Sequence, residues 1–188
     1  MTFLETTLAG AYIIEPQDIA DDRGFFARVF CSKELRAHGL RSEVAQANMA
    51  YSRQKGTLRG LHFQLPPHAE VKIIRCTKGS IYDVIVDLRP SSPTWKRWFG
   101  VELTQSNHRM LYVPEGFGQG YVTLEDDTEM CYNTSEFYHP EVASGVRYDD
   151  PAFKIVWPVD ISVISMQDRR WPDYSTRKSM DQTLLKRG

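Results

Sequence analysis

The sequence lacks the features that mark secreted, membrane-embedded and nucleic-acid-binding proteins. Only three cysteines occur among 188 residues, Cys31, Cys76 and Cys131, and their spacing fits neither a disulfide framework nor a zinc motif. We therefore expect buried thiols in a reducing compartment. A net charge of −1 provides no field that would attract nucleic acid or anionic lipid, so neither is expected as a partner.

Long apolar runs are missing as well, and the first residues do not predict a leader segment. No stretch approaches the roughly 18 consecutive apolar residues of a membrane span. Residues 1–6 contain no basic region followed by an apolar run, so a signal peptide is not expected. The protein is therefore predicted to be cytoplasmic, with no membrane as partner.

The residues that are present predict a small all-β protein. We expect one domain over residues 1–188, with a core over 10–172 and a polar tail over 173–188. Runs rich in Val, Ile, Tyr and Phe recur about every ten residues between turn residues, which predicts a sandwich or barrel. A single short helix is predicted over 33–38, with Ser32 as its cap and Gly39 at its end, and the C-terminal segment reads as irregular. The predicted strands are 71–76, 80–88, 99–103, 109–113, 120–124 and 129–132.

The alternation within 80–88 separates two faces of one predicted strand. One row is apolar, and the other includes Asp83 and Asp87. These carboxylates face either solvent or a polar barrel interior, and the sequence leaves both possibilities open.

The segment 55–64, Lys-Gly-Thr-Leu-Arg-Gly-Leu-His-Phe-Gln, carries the clearest chemical signal. Residues two apart share a strand face, so Gly60, His62 and Gln64 point in one direction. The next predicted strand brings Lys72 beside them. An imidazole in a β-scaffold with a lysine nearby suggests proton transfer, whereas the alternative is a structural core histidine.

The segment 113–121, Val-Pro-Glu-Gly-Phe-Gly-Gln-Gly-Tyr, resembles the second cupin motif, in which a Pro-x-Gly-x-x-His run supplies a metal ligand. Here Gln119 occupies the histidine position, and the first motif reads His62-Phe-Gln64 instead of His-x-His. Amides bind transition metals poorly compared with imidazole. The resemblance implies a cupin-type double-stranded β-helix, or jelly roll, without a metal or other cofactor. A metal-dependent cupin oxygenase or isomerase is the rival interpretation.

A longer series of motifs points to one family. In order, these motifs are Arg23-Gly-Phe-Phe26, 56–64, 83–89 with 92–94, Pro114-Glu-Gly-Phe117, 123–128, Tyr132, Tyr138 and Asp150-Pro-Ala152. On these motifs the chain resembles the dTDP-4-dehydrorhamnose 3,5-epimerase family of sugar-nucleotide epimerases over about residues 10–172.

The resemblance implies an enzyme that acts on a nucleotide-diphospho-4-keto-6-deoxy sugar. A proton is removed at C3, C5 or both, an enolate forms, and a proton returns on the opposite face. By this resemblance His62 is the base, Asp168 orients its ring, Lys72 stabilises the enolate oxygen and Tyr132 is the acid. This chemistry requires a base, an oxyanion stabiliser and an acid opposite the base.

The resemblance also implies substrate contacts and a homodimer. Arg59 and Arg23 match residues that hold the diphosphate and nucleotide, and Tyr138 matches an aromatic that stacks on the base. Gln46 and Asn48 lie near a polar pair that lines the nucleotide site. Family members exchange N-terminal strands, and the segment 25–30 is expected to do so here and to carry Arg23 into the partner's site.

Four positions depart from the family pattern, all on the recognition side. Gln119 replaces a histidine beside the sugar or its phosphate, and Arg28 replaces a glutamate that contacts thymine. Ala143 and Gln167 replace a glutamate and a lysine. Because a change from Glu to Arg turns an acceptor into a donor, we predict a CDP- or GDP-linked sugar or epimerisation at one carbon as alternatives. A non-catalytic sugar-nucleotide binder is the alternative from another class.

Overall fold

The computed structural model describes residues 1–176, and strands account for most of its regular structure. Two short helices, α1 (Ser32–Ala37) and α2 (Met166–Arg169), and a 3-10 turn at Tyr174–Thr176 complete the described elements. The strands are β1 (Thr2–Glu5), β2 (Tyr12–Glu15), β3 (Asp18–Asp21), β4 (Gly24–Ala27), β5 (Gln46–Ser52), β6 (Thr57–Gln64), β7 (Lys72–Lys78), β8 (Ser80–Asp87), β9 (Trp98–Thr104), β10 (Met110–Val113), β11 (Phe117–Thr123), β12 (Thr128–Thr134), β13 (Ala143–Gly145) and β14 (Val163–Ile164).

Two β-sheets form the body of the protein, and in both the order of the strands differs from their order in the chain. The first has the order β1-β2-β10-β7-β12-β5, and the second has the order β13-β6-β11-β8-β9, with β14 parallel to β6. The remaining strands, β3 and β4, form a separate two-stranded hairpin. Apart from β1–β2 and β8–β9, neighbouring strands in the two sheets are not consecutive in sequence, as expected when a chain passes repeatedly between two layers. The predicted all-β architecture is confirmed.

Apolar side chains pack in three clusters. The central cluster lies between the sheets and includes Ile74 and Leu111 from the first sheet and Ile85 from the second, all fully buried. A second cluster covers the outer face of the second sheet with side chains of the C-terminal segment, including Phe153 and Tyr174. The third surrounds Leu35 of α1.

Every predicted strand is present, with ends shifted by at most three residues, but several boundaries were wrong. The fold begins at β1 rather than near residue 10, because β1 pairs with β2 along its whole length. Cys31, not Ser32, is the N-cap of α1, and no side chain caps this helix. Tyr174, assigned to the tail, is buried because its ring packs on Phe153 and its backbone N–H donates to Asp150. The rest of the predicted tail, 177–188, lies outside the described residues.

The two aspartates of β8 face the interior. Asp83 and Asp87 are both completely buried, so the polar-interior alternative is the correct one. Asp87 accepts hydrogen bonds from Arg89, Ser92 and Thr94 and so fixes the loop that follows β8. These bonds outweigh burial, which by itself raises the carboxyl pKa, and the pKa of Asp87 is lowered.

The three cysteines are free thiols, but only Cys76 is buried, so the prediction of uniformly buried thiols was wrong. Burial raises the pKa of the Cys76 thiol to about 11. Within residues 1–176, no helix has the length and apolar content needed to cross a membrane.

Candidate active site

A bulge in β6 places two functional side chains on one face. On β11, Gln119 and Tyr121 are two residues apart, yet their partners on β6, His62 and Arg59, are three apart. The extra residue sits at Gly60, where φ is +116° and an added Cβ would lie 2.6 Å from the Cα of Gly120. Arg59 and His62 therefore both face the same cavity, although simple alternation would have separated them.

Two adjoining cavities open between the sheets, with volumes of about 530 and 480 Å³. Four side chains line both of them: His62 from β6, Lys72 from β7, Tyr132 from β12, and Gln167 from α2. Three of these four are the predicted base, enolate stabiliser and acid. The sizes are within the range of small-molecule sites, and the candidate catalytic groups lie where the two cavities join.

His62 and Asp168 form a charge-assisted hydrogen bond. His62 Nε2 lies 2.6 Å from Asp168 Oδ1, and Asp168 Oδ2 accepts the backbone N–H of Gly60 at 3.3 Å. The aspartate side chain is nearly buried, whereas the histidine side chain is 46% exposed to the cavity. Burial raises the pKa of the Asp168 carboxyl, but the bonds from His62, Gly60 and Ser165 dominate and the pKa is lowered. An ionised carboxylate therefore orients the ring, leaving Nδ1 for chemistry.

Asp168 is held by α2, a helix that the sequence prediction missed. Ser165 is its N-cap, and the Ser165 hydroxyl accepts the N–H of Asp168 at 3.0 Å. The pattern Ser-x-x-Asp is the available signal, since it resembles a capping box. The helix spans only Met166–Arg169, which explains why apolar periodicity did not reveal it.

Lys72 has a carboxylate partner that was not anticipated. Its ammonium lies 3.1 Å from Glu70 Oε1 and 3.4 Å from the carbonyl oxygen of His62. Both side chains are about nine-tenths buried. The charge of this nearly buried lysine is thus balanced by a carboxylate two residues earlier on the chain. The spacing Glu-x-Lys at the start of a strand was the signal for this pair.

Tyr132 faces the cavity from the first sheet, opposite His62 of the second. The pKa of the Tyr132 phenol is raised. Burial is the main cause, the negative charge of Glu70 raises the pKa further, and the positive charge of Arg59 opposes both. A raised pKa keeps the phenol protonated at neutral pH, which is the form that an acid requires.

Gln119 contacts a buried carboxyl. Its amide Nε2 lies 3.2 and 3.0 Å from the two carboxylate oxygens of Asp83. Complete burial raises the pKa of Asp83 to about 8, against the opposing influence of Gln119 and Lys72. Gln119 lines the first cavity, together with Tyr121, another side chain that sequence reasoning missed. Burial raises the pKa of Tyr121 to about 12.

Five of the predicted substrate contacts line the two cavities. Arg59 and Gln119 line the first cavity, and Gln46, Asn48 and Tyr138 line the second. Ala143 and Gln167, which depart from the family pattern, also line the second cavity, as does Trp171, which was not predicted.

Arg23 and Arg28 lie outside both cavities of their own chain. Arg23 sits at the turn of the β3–β4 hairpin, bonded to Asp21, with 89% of its side chain exposed. Arg28 follows β4 and lies 4.0 Å from Glu34. Neither side chain lines a candidate site within one subunit.

The positions of the cupin metal ligands hold one imidazole and two amides. The Gln64 amide nitrogen donates to the carbonyls of His68 and Phe137, and the Gln119 amide is engaged by Asp83. His62 is committed to Asp168 through Nε2. This donor set fits a transition-metal ion poorly, so the rival interpretation of a metal-dependent cupin has little support in the residues.

Comparisons with known proteins place the chain in a family. A family model described as dTDP-4-dehydrorhamnose 3,5-epimerase matches residues 5–176. The enzyme of that name from Methanothermobacter thermautotrophicus is 42% identical over 172 residues, which cover 90% of this chain and 92% of the relative. The Bacillus anthracis enzyme, solved with TDP and PPi bound, superposes with a TM-score of 0.88 at 43% identity over 91% of this chain and 98% of that chain.

A further solved relative is ChmJ, a 3′-monoepimerase from Streptomyces bikiniensis in complex with dTDP-quinovose. It is 33% identical, with a TM-score of 0.86, over 97% of this chain and 91% of that chain. These neighbours confirm the cupin-type jelly roll and make the protein an isomerase. The chain belongs to the dTDP-4-dehydrorhamnose 3,5-epimerase family.

Proposed function

We propose that this epimerase inverts a carbon next to the C4 ketone of a dTDP-linked 4-keto-6-deoxy sugar. The observation that carries the proposal is the meeting of His62, Lys72 and Tyr132 where the two cavities join. Binding alone does not require a base, a cation and an acid around one point, so the non-catalytic alternative is less well supported.

The base and the acid come from opposite sheets. His62 Nδ1 takes the proton from the carbon, and the adjacent Asp168 carboxylate stabilises the resulting imidazolium. The Lys72 ammonium binds the oxygen that gains negative charge as the enolate forms. Tyr132 then donates its phenolic proton from the other side, and the configuration is inverted. Solvent returns the enzyme to its starting protonation state.

The diphosphate is proposed to bind at Arg59, whose guanidinium already contacts the backbone carbonyl of Tyr51 and the Ser52 hydroxyl. Tyr138 is proposed to stack on the base. Gln46 Oε1 accepts the backbone N–H of Tyr138 and so fixes the segment that carries this ring. Asn48 pairs with Tyr132 across β5 and β12 and completes the polar lining.

A thymidine nucleotide is proposed because the two solved relatives described above hold TDP and a dTDP-sugar. The CDP- or GDP-linked alternative rests on Arg28 and is decided by the shift of melting temperature with dTDP, CDP, GDP and UDP. A larger shift with CDP or GDP than with dTDP would replace the thymidine proposal. The monoepimerase relative leaves C3, C5 or both as the carbons to be determined.

The function is tested by NMR in heavy water with a dTDP-4-keto-6-deoxy sugar. We expect solvent deuterium to appear at C3, C5 or both, and His62→Asn to slow this exchange by about 10²–10⁴-fold. His38→Asn is the matched control, since that histidine is exposed, bonds through Nδ1 to the Glu34 carbonyl, stacks on Phe3 and lines neither cavity. Exchange at the wild-type rate in the His62 variant would refute the assignment of the base.

A homodimer completes the proposed site. The β3–β4 hairpin stands apart from both sheets, and Ile19, Phe25 and Phe26 on it are more than half exposed. Strand β5, which borders the second cavity, is an edge strand with Met49 exposed on it. Exposed apolar side chains and an unpaired edge are features that a second copy would cover. The exchanged hairpin would carry Arg23 into the partner's site.

Complementation tests this arrangement. Arg23→Ala and His62→Asn variants, each of low activity, are co-expressed so that mixed dimers form. If Arg23 serves the partner's site, one site in each mixed dimer is intact, and about a quarter of wild-type activity returns. If Arg23 serves its own subunit, or if the protein is monomeric, mixing restores nothing, and the exchange is refuted.

A further inference from the structure

A cluster of three potential metal ligands lies outside the two catalytic cavities. Within residues 1–176, the fold brings His68, Glu136 and His139 together, and their ligand atoms all lie within 4.8 Å of one another. His68 follows β6, whereas Glu136 and His139 follow β12. None of the three lines either cavity of the candidate active site. The cluster therefore has no part in the epimerisation proposed above.

Gln64 fixes the two segments that carry the cluster. Its buried amide donates to the carbonyls of His68 and Phe137, both at 3.0 Å, and its carbonyl accepts the N–H of His139 at 2.6 Å. One side chain thus holds the backbone next to each histidine. The ligand-bearing segments do not need to be ordered by an incoming ion, so the conformational entropy opposing its binding is small.

The two imidazoles are already arranged side by side. Their ring centroids are 3.6 Å apart, with an angle of 19° between the planes. The lone pairs of stacked rings run nearly parallel, so one imidazole must rotate about its Cβ–Cγ bond before both rings direct a nitrogen at one ion. The rings are close enough for this, because neighbouring ligand atoms in a tetrahedral zinc site with bonds of 2.0–2.1 Å are about 3.3 Å apart.

The neighbouring acidic groups complete the pattern of a metal site. Glu141 Oε1 lies 3.0 Å from His139 Nδ1, the type of carboxylate contact that orients a ligating histidine and leaves Nε2 for the metal. Glu136 Oε1 accepts the backbone N–H of Phe137 at 2.8 Å, which leaves its second oxygen available. Two imidazoles and a carboxylate with an open fourth position suit Zn²⁺ and related ions.

We propose that His68, Glu136 and His139 bind a divalent transition-metal ion, for which Zn²⁺ is the test ion. The site is not catalytic. It joins the segment after β6 to the segment after β12, and the latter carries Tyr138 at the wall of the second cavity. A bound ion therefore stabilises the segment that carries Tyr138, on one side of the substrate site, without contacting the reacting groups.

The experiment titrates metal-stripped full-length protein with Zn²⁺ by calorimetry and with Co²⁺ by visible absorption. We expect one ion per subunit, Co²⁺ bands of a low-coordinate nitrogen and oxygen site, and a higher melting temperature with Zn²⁺. The double variant His68→Gln/His139→Gln should lose all three signals. Glu141→Gln, which removes only the orienting carboxylate, should weaken binding by about tenfold or more.

Two controls locate the ion. His38→Gln removes an exposed histidine elsewhere, and His62→Asn removes the catalytic imidazole; both should bind Zn²⁺ as the wild type does. Melting curves without metal show whether the double variant is folded, and Glu136→Gln provides an independent single change. If the double variant binds Zn²⁺ with wild-type stoichiometry and affinity, or if the wild type binds none, the proposal is overturned.

Discussion

Replacing Asp168 by Asn tests the central feature of the proposed chemistry. The substitution keeps the size of the side chain but removes the charge that lies 2.6 Å from His62 Nε2. A hydrogen bond to a charged group contributes about 1.5–3 kcal/mol, and loss of the attraction to the forming imidazolium adds to this. We expect a total loss of about 3–5 kcal/mol in the transition state, or about 10²–10⁴-fold in kcat.

The direction of the effect follows from the burial of the Asp168 carboxylate. The Asp168 side chain is only 5% exposed, so water cannot replace the missing charge. The amide also presents a donor to the ring when it rotates, which would favour the wrong tautomer of His62. The loss should therefore appear in kcat rather than in KM.

The assay is deuterium uptake into the sugar by NMR, with the melting temperature measured in parallel. Ser165→Ala is the matched control, because it removes the hydroxyl that accepts the Asp168 N–H but leaves the carboxylate in place. It should lower stability by about 1 kcal/mol and change kcat much less than the Asp168 variant does. A folded Asp168→Asn enzyme with kcat within fivefold of wild type would contradict the proposed role of this pair.

Three further predictions concern other parts of the site. Tyr132→Phe should retain proton abstraction, seen as deuterium exchange, but lose inverted product by about 10²-fold or more; equal loss of both would assign Tyr132 another role. Arg59→Gln should raise KM at least tenfold with kcat nearly unchanged, and an unchanged KM would remove Arg59 from the phosphate site. Asp83, with its pKa raised from 3.8 to about 8, is protonated in the folded protein, so its contribution to stability is present below pH 3.8 and is lost as the pH rises to about 8. The stability of Asp83→Asn relative to wild type should accordingly increase by a few kcal/mol between pH 4 and 8 in urea denaturation, whereas a constant difference would contradict burial of a neutral carboxyl.

The six predicted strands could be recognised because runs rich in Val, Ile, Tyr and Phe lie between turn residues. The face on which Arg59 lies could not, since the extra residue at Gly60 follows from pairing with β11 rather than from local pattern. Asp83 shows the same difficulty. Alternation placed Asp83 on the face of the strand opposite the apolar row. Only the packing of the second sheet against the first decides that the face carrying Asp83 is the internal one.

Family motifs, rather than periodicity, singled out the candidate catalytic residues. His62, Lys72 and Tyr132 are contributed by three different strands, and no local pattern relates them. Glu70 was missed because its significance depends on a distance of 3.1 Å from Lys72. Within one subunit Arg23 and Arg28 lie outside both cavities, and their proposed role depends on the second subunit of the proposed dimer.

The placement of the proposed base and acid on separate sheets has a consequence for how stereochemistry can change. The distance between the two sheets, and therefore between the His62 imidazole and the Tyr132 phenol, is set by the core packing around Ile74, Ile85 and Leu111. Shortening one of these aliphatic side chains would change that distance while leaving both functional groups in place. We expect such variants to change the ratio of epimers formed, so core packing far from the substrate would influence the configuration of the product.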